Sequence, residues 1–358
     1  MDKKLLVAMC EEGDIDEEEL VHLSQLSEQA KMRPGDFDLD TISNQVCLED
    51  FRFSKSQLFL LQHALEIPDI MYTDSHHIIP GMEALCLLLK RLAFPNRLCD
   101  LEKIFGRNRT VLSRCFNHTL KYVHDKFCGR LETPVQPWID ADTLELWAQA
   151  VSRKGSPYDR CVGFIDGTNI EICRPSDYAT QKICYTGYKK EHDLKYTGVM
   201  APCGIMFIMC GPEPGSFHDA KLLYRSQILT QLRESPIWTP TLESGFYLYG
   251  DQAYKSTPQV IGPIRFNASP LELACNAAMK TLRVSVEWGF GKIGTLFAFN
   301  NYPEDLKLGV QPLGMYFKVS TLLTNCHTCL NGSQTSNHFS VEPPTLLQYL
   351  ENYPTDDN

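Results

Sequence analysis

FYLYGDQAY, residues 246–254, is an apolar run that stops on an acid. Phe246, Tyr247, Leu248 and Tyr249 have the aromatic weight of a buried strand, Gly250 breaks the run, and Asp251 follows. Earlier in the chain CVGFIDGTNI (161–170) has the same form, apolar through Phe164 and Ile165 and then Asp166 and Gly167. A carboxylate at the end of a buried strand is costly to desolvate unless a positive group meets it. Ligand sites in open α/β sheets lie off those strand ends.

Around these two runs the strand-like stretches come in series: CVGFID (161–166), KYTGVMAP (195–202), GIMFIMCG (204–211) and FYLYGD (246–251). SFHDAKLLYRSQILTQL (216–232) reads as a helix, with Ser216 and Asp219 at a spacing close to a capping box. LELACNAAMKTLRVSVEWGFGKIGTLF (271–297) reads as a long one. Strand, strand, strand, helix, strand, helix predicts an α/β fold with a mixed sheet flanked by helices. Upstream, GMEALCLLLKRLAF (81–94) is a helix closed by Pro95, RLCDLEKIF (97–105) a second ended by Gly106, and RNRTVLSRCFNHTLKYVHDKF (107–127) a third. Short helices around a glycine-containing turn predict a helix-turn-helix-like region. Its exposed Arg107, Asn108, Arg109, Arg114, His118 and Lys121 suit phosphates and base edges. The alternative is an ordinary three-helix bundle with a solvated basic face.

The 358 residues and their 43% hydrophobic share suit a globular chain of two or three domains. The boundaries read as an acidic, partly disordered N-terminal arm (1–48) with one helix near Glu17–Gln29, a helical domain (49–150), a sheet domain (151–333) and a polar C-terminal tail (334–358). There is no apolar run of membrane-spanning length and no signal-peptide pattern. The 14 cysteines are scattered, as reduced thiols of a nuclear or cytosolic protein would be. NCHTC (325–329) has zinc-like spacing but no second ligand pair nearby. The net charge of −10 opposes holding nucleic acid by bulk electrostatics, but residues 11–19 alone hold seven acids.

Two strand-end acids on neighbouring strands repel, so a proton or cation must lie between them. A hard divalent ion, Mg²⁺ or Mn²⁺, takes such oxygen ligands, and a two-metal site for phosphoryl transfer wants a third carboxylate. Glu287 is the candidate. It borders the inward stripe of Met279, Leu282, Val286, Phe290 and Ile293. Gly289 and Gly291, each costing a helix about 1 kcal/mol, are explained by close approach beside it; the alternative is a helix that frays there.

Between Asp251 and Glu287 lie 35 residues, the DD35E arrangement. DGT (166–168), GPEPGSFHDAKLL (211–223), GDQAY (250–254) and VEWGFGK (286–292) together resemble the PIF/Harbinger-type DDE transposases and their domesticated nuclease relatives, over roughly residues 80–330. The resemblance implies an RNase H-like fold preceded by a helix-turn-helix-like region. It also implies a catalytic and metal-binding triad of Asp166, Asp251 and Glu287, two divalent metal ions, DNA as substrate and a separate DNA-binding partner protein; a location in the nucleus, with the cytoplasm also open, and a homo-oligomer are compatible with it. Asp219, in the family's GSxHD motif, is the rival for the second acid. Asn169, Gln252 and Trp288 depart from the family's usual residues without removing a ligand. Lys182, Lys189, Lys190 and Lys195 are candidate phosphate contacts, or solvated loop lysines. The competing reading of function is a domesticated, catalytically silent DNA- or protein-binding module on the same fold. A two-carboxylate glycosidase fails, because nothing places just two acids about a sugar-sized cleft.

Overall fold

A computed structural model of the chain describes Asp16, residues 37–239, 245–264 and 266–351. The helix expected near Glu17–Gln29 lies outside the described residues. The helical region opens with α1 (Asn44–Phe51) and α2 (Lys55–Ala64), capped by the hydroxyls of Ser43 and Ser54. A small antiparallel hairpin, β1 (Ile70–Tyr72) and β2 (Ile78–Pro80), leads into α3 (Gly81–Ala93). Apart from Met82, α3 is buried along its whole length, as its nearly unbroken apolar sequence requires. Next come α4 (Leu98–Phe105), ended by Gly106 in the left-handed region (φ 61°), and α5 (Arg109–Phe127), capped by the Asn108 side chain. These three helices match the sequence periods closely. Leu112, Cys115, Phe116, Leu120 and Val123 form the buried face of α5.

After α6 (Ala141–Arg153) the chain enters the sheet. Its elements are β3 (Cys161–Glu171), α7 (Tyr178–Cys184), β4 (Tyr185–Thr186), β5 (Glu191–Met200), β6 (Met206–Pro214), α8 (Asp219–Arg225), α9 (Ile228–Glu234), β7 (Tyr247–Tyr249) and β8 (Val260–Ile261). The long α10 (Pro270–Leu296), α11 (Leu313–Asn331), α12 (Gln334–Phe339) and α13 (Leu346–Leu350) complete the chain. β3, β5 and β6 form an antiparallel meander, β7 and β8 run parallel to β3 on its other side, and β4 pairs with the start of β5. The sheet is mixed and flanked by helices, with α6 and α10 packed on β3 and α11 on β6. None of the described helices is long and apolar enough to cross a membrane.

Four expectations change. The arm does not run to residue 48: the Phe37 ring stacks on Phe105 at 4.9 Å, and Leu39 and Cys47 are buried. The C-terminal segment is not a polar tail as far as residue 351: Phe339, Val341, Leu346, Tyr349 and Leu350 enter the core. The helix over 216–232 is two helices, broken where Gln227 takes φ 58°. No capping box forms at its start, where the N-cap residue is His218 without a side-chain bond. The buried residues from Leu39 to Leu350 form one continuous cluster, so the helical region and the sheet share a core. Phe116 of α5 meets Tyr316 of α11 at 5.8 Å within it.

This packing predicts that a chain starting at residue 49 is less stable than one starting at residue 37, by roughly 2 kcal/mol or more for the lost burial of Leu39 and Cys47. Thermal melts of the two truncations check this; equal midpoints would mean that residues 37–48 add nothing to the core.

Candidate active site

Asp166 does not end its strand, as the sequence suggested. β3 continues to Glu171, and what ends beside Asp166 is the pairing of β3 with β7, whose last register pair is Phe164 with Tyr249. Beyond that point β3 is paired only with β5, leaving its other edge open where Asp166 stands. Asp251 follows β7 directly after Gly250. That glycine is required by close packing: a Cβ there would stand 2.6 Å from the Tyr254 ring and 2.9 Å from Ile165. One Asp251 oxygen accepts from the Ala253 N–H at 2.8 Å, which turns the chain back and sends Tyr254 inward.

Glu287 reaches the site on α10. Gly198 is the cross-strand partner of Asp166, and the Phe290 ring of α10 lies where its Cβ would be, at 2.8 Å. A Cβ on Gly289 would stand 2.0 Å from the Met200 methyl and 2.9 Å from that of Met206. These two glycines bring α10 down onto the sheet beside Asp166. Gly291, expected to mark the close approach, faces open space instead.

The residue that joins the acids was not anticipated. Arg283, one helical turn before Glu287, ion-pairs through Nη1 with Asp166 Oδ2 and through Nη2 with Glu287 Oε1 at 3.0 Å. Its side chain is 17% exposed, whereas that of Glu287 is 51% exposed. The i, i+4 spacing of Arg283 and Glu287 was visible in the sequence; the reach across to β3 was not. Arg283 also lines a 400 Å³ cavity together with Asp251, Gln252, Asn276 and Lys280. A larger cavity of 1060 Å³ lies elsewhere, bounded by Glu132, Pro212, Arg225 and Pro236, and holds none of the triad.

Asp219 also belongs to this neighbourhood. A Cβ on Gly167 would stand 2.5 Å from its Oδ1, and that same oxygen pairs with Lys195 Nζ at 3.2 Å. Lys195 donates as well to the Phe217 carbonyl at 2.9 Å, so it is engaged within the fold and is not the phosphate contact considered from the sequence. Asp166, Asp219, Asp251 and Glu287 are thus served by two side-chain cations among the described residues, and Asp251 is in no ion pair there. A surplus of negative charge remains.

Burial pushes the Asp166 carboxyl above its ordinary value, against the pull of the Arg283 guanidinium and the Gly167 N–H, and the Asp251 charge adds to the rise. Burial also raises the Tyr254 phenol well above its usual range, helped by the charges of Asp219, Asp166 and Asp251. The buried Tyr254 hydroxyl lies beside that of Thr197, which holds the phenol's rise in check. Carboxylate oxygens with a surplus of negative charge are the chemistry that a hard divalent cation takes. Among the described residues no three Asp, Glu, His or Cys side chains already form a metal-binding group. The donor set therefore fits a divalent ion in kind, while Arg283 holds two of its members.

The expected nucleic-acid contacts divide. Arg107 is corrected to a structural residue: Nε and Nη2 bind the Glu83 carboxylate at 2.6 and 2.8 Å, Nη1 donates to the Ile78 carbonyl at 3.2 Å, and the side chain is 9% exposed. Arg109 and Arg114 are exposed, with Arg114 meeting His77 Nε2 at 3.0 Å. Lys189 and Lys190 are exposed at the turn between β4 and β5, next to Tyr188, which is 95% exposed. Asn169 is explained by structure, since it donates to the buried Asp193 at 2.5 Å. The NCHTC segment lies inside α11, where Cys326 faces the core and burial lowers His327 to about 4.

Residues 165–325 match the family model described as DDE superfamily endonuclease, a span that begins one residue before Asp166 and includes Asp251 and Glu287. Neither a curated protein nor a solved structure matches the chain.

The raised Asp166 carboxyl yields a prediction in chelator. The folded protein holds this proton more tightly than the unfolded chain, so ionising it costs stability as pH rises above the unfolded value of about 3.9. Asp166→Asn should therefore melt at or above the wild-type temperature at pH 7, and the gap should close towards pH 4. A melting temperature well below wild type at pH 7 would mean that the Arg283 pair outweighs the burial of the acid.

Proposed function

We propose that this protein is a metal-dependent DNA endonuclease or transposase of the PIF/Harbinger type, cleaving phosphodiester bonds at a DDE site formed by Asp166, Asp251 and Glu287, with strand transfer as its second step. The observation that carries the reading is the meeting of Asp166 and Glu287, from distant segments, on one guanidinium beside Asp251. The strand order β6-β5-β3-β7-β8, with an antiparallel meander followed by two parallel strands, supports an RNase H-like fold. The match of residues 165–325 to DDE superfamily endonucleases supports the chemistry.

Two divalent ions, Mg²⁺ or Mn²⁺, would supply a water of lowered pKa and charge stabilisation at the leaving 3′-oxygen. The chain's own contribution is placement. β3 holds Asp166 at an open strand edge, the turn after β7 presents Asp251, and the glycine contacts of α10 set Glu287 against them. Tyr254 is buried against Gly250 and fixes the turn that carries Asp251. Asp219 remains the rival second ligand; it opens α8 and pairs with Lys195, whereas Asp251 is in no ion pair among the described residues.

DNA would extend from the acids to the turn carrying Lys189 and Lys190, which lies roughly 20 Å further along β5 at about 3.3 Å per residue. Arg109 and Arg114 on the helix-turn-helix-like α4–α5 would supply further phosphate contacts. With a net charge of −10, sequence recognition falls to a separate DNA-binding partner, and the site of action is the nucleus. The Arg283 bridge also favours a second reading, a catalytically silent module whose old metal site is filled by a side chain.

Incubation of the purified protein with supercoiled plasmid in Mg²⁺, Mn²⁺, Ca²⁺ or EDTA separates the two. Nicked or linear product is expected with Mn²⁺ and none with EDTA, and Asp166→Ala, Asp251→Ala and Glu287→Ala should each lower cleavage by at least about a hundredfold. Asp251→Ala at wild-type rate with Asp219→Ala inactive would transfer the second ligand to Asp219. Absence of cleavage under every condition would favour the silent module.

The arginines give a separate expectation. Replacing Arg109 and Arg114 together should lower the log–log salt slope of DNA binding by about two, roughly one per phosphate contact. Arg107→Ala should instead destabilise the fold by about 3–5 kcal/mol, by stranding the buried Glu83. An unchanged slope in the double variant would leave residues 81–127 as a structural bundle.

A further inference from the structure

We propose that Arg283 is a built-in counter-cation that holds the metal site closed, and that a divalent ion enters by displacing its guanidinium from Asp166 and Glu287. This rests on the reading of these acids as metal ligands. Three features point to it. The guanidinium divides its two terminal nitrogens between carboxylates that come from different elements, so it occupies the position between them that an ion needs. The bridge is poised to open at one end: Arg283 is largely buried, but its Glu287 partner is half exposed. The 400 Å³ cavity lined by Arg283, Asp251 and Asn276 gives the side chain somewhere to go without leaving α10.

The physical consequence is a competition. Without metal, Arg283 offsets the repulsion between the acids and stabilises α10 on the sheet. With metal, the same carboxylates exchange a monovalent guanidinium for a divalent ion, and the cost of breaking the bridge is subtracted from the affinity. Arginine suits this role better than lysine, because its planar fork reaches two carboxylates at once, whereas an ammonium holds one well. Arg283 is thus a positioning residue that sets how readily the site loads.

The test is Mn²⁺ binding without DNA, followed by the EPR signal of free Mn²⁺, for wild type, Arg283→Gln, Arg283→Lys and Lys280→Gln, with circular dichroism to check folding. Arg283→Gln should bind Mn²⁺ about tenfold more tightly, the equivalent of removing about 1.4 kcal/mol of competing ion pairing. Arg283→Lys should fall between the two, and it keeps the test decisive if the glutamine variant does not fold. Lys280→Gln, which removes a charge from the same cavity wall without freeing a carboxylate, should stay within about twofold of wild type. Equal Mn²⁺ affinity in wild type and both Arg283 variants overturns the counter-cation role while leaving the metal reading intact. Binding to none of the four proteins overturns the metal reading and the proposal with it. A Lys280→Gln effect as large as that of Arg283→Gln would reduce the role to general charge and overturn direct occupancy.

Discussion

A carboxylate cannot remain ionised against a buried strand unless a positive charge stands beside it, and at Asp166 that charge is Arg283. Much of the local architecture serves this contact. Gly198 and Gly289 remove the side chains that would hold α10 off the sheet, Phe290 fills the space over Gly198, and Arg283 then reaches β3 from two turns away along the same helix. Glu287 is brought in by the same guanidinium. Asp251 arrives independently, through the end of β7 and the packing of Tyr254 against Gly250. Two parallel strands, one antiparallel neighbour and one helix therefore set Asp166 and Glu287 on one guanidinium, with Asp251 lining the same cavity as Arg283, and the remaining helices provide the core that keeps those elements in register.

The electrostatics of the rest of the molecule follow a similar rule. Cations that a sequence shows as free are in several places already committed: Arg107 to Glu83, Lys195 to Asp219 and Lys318 to Glu132. A count of basic residues thus overstates what is available to an anionic ligand. The cations that remain exposed are scattered, with Arg109 and Arg114 on α5, Lys189 and Lys190 at the turn, and Lys154, Lys182, Lys255, Lys280 and Lys307 elsewhere, and the chain carries a net charge of −10. A net negative surface of this kind disfavours holding nucleic acid by bulk electrostatics alone, which is the physical ground for proposing a separate recognition partner.

The order of strands and helices was legible from apolar runs because β3, β5, β6 and α10 are long enough to show their periods. The acids were legible because each interrupts an apolar run. What escaped the sequence depended on tertiary contact. β8 is two residues long and gains its place only by pairing with β7. Residues 37–48 and 339–350 look polar on average, yet a few side chains in each, Leu39 and Cys47 or Phe339 and Tyr349, reach the common core. Arg107 looked like a surface residue because Glu83 lies on a different helix. Arg283 was hidden for the same reason: its nearer partner is one turn away in sequence, but the partner that matters is on β3.

Anomalous diffraction from crystals soaked in Mn²⁺ tests the central claim most directly. Manganese is expected within about 2.0–2.3 Å of oxygens from Asp166, Asp251 and Glu287, as one ion or as two roughly 4 Å apart, with the Arg283 guanidinium no longer bridging. Manganese bound through Asp219 instead of Asp251, or no manganese at these acids while Arg283 still joins Asp166 to Glu287, would contradict it.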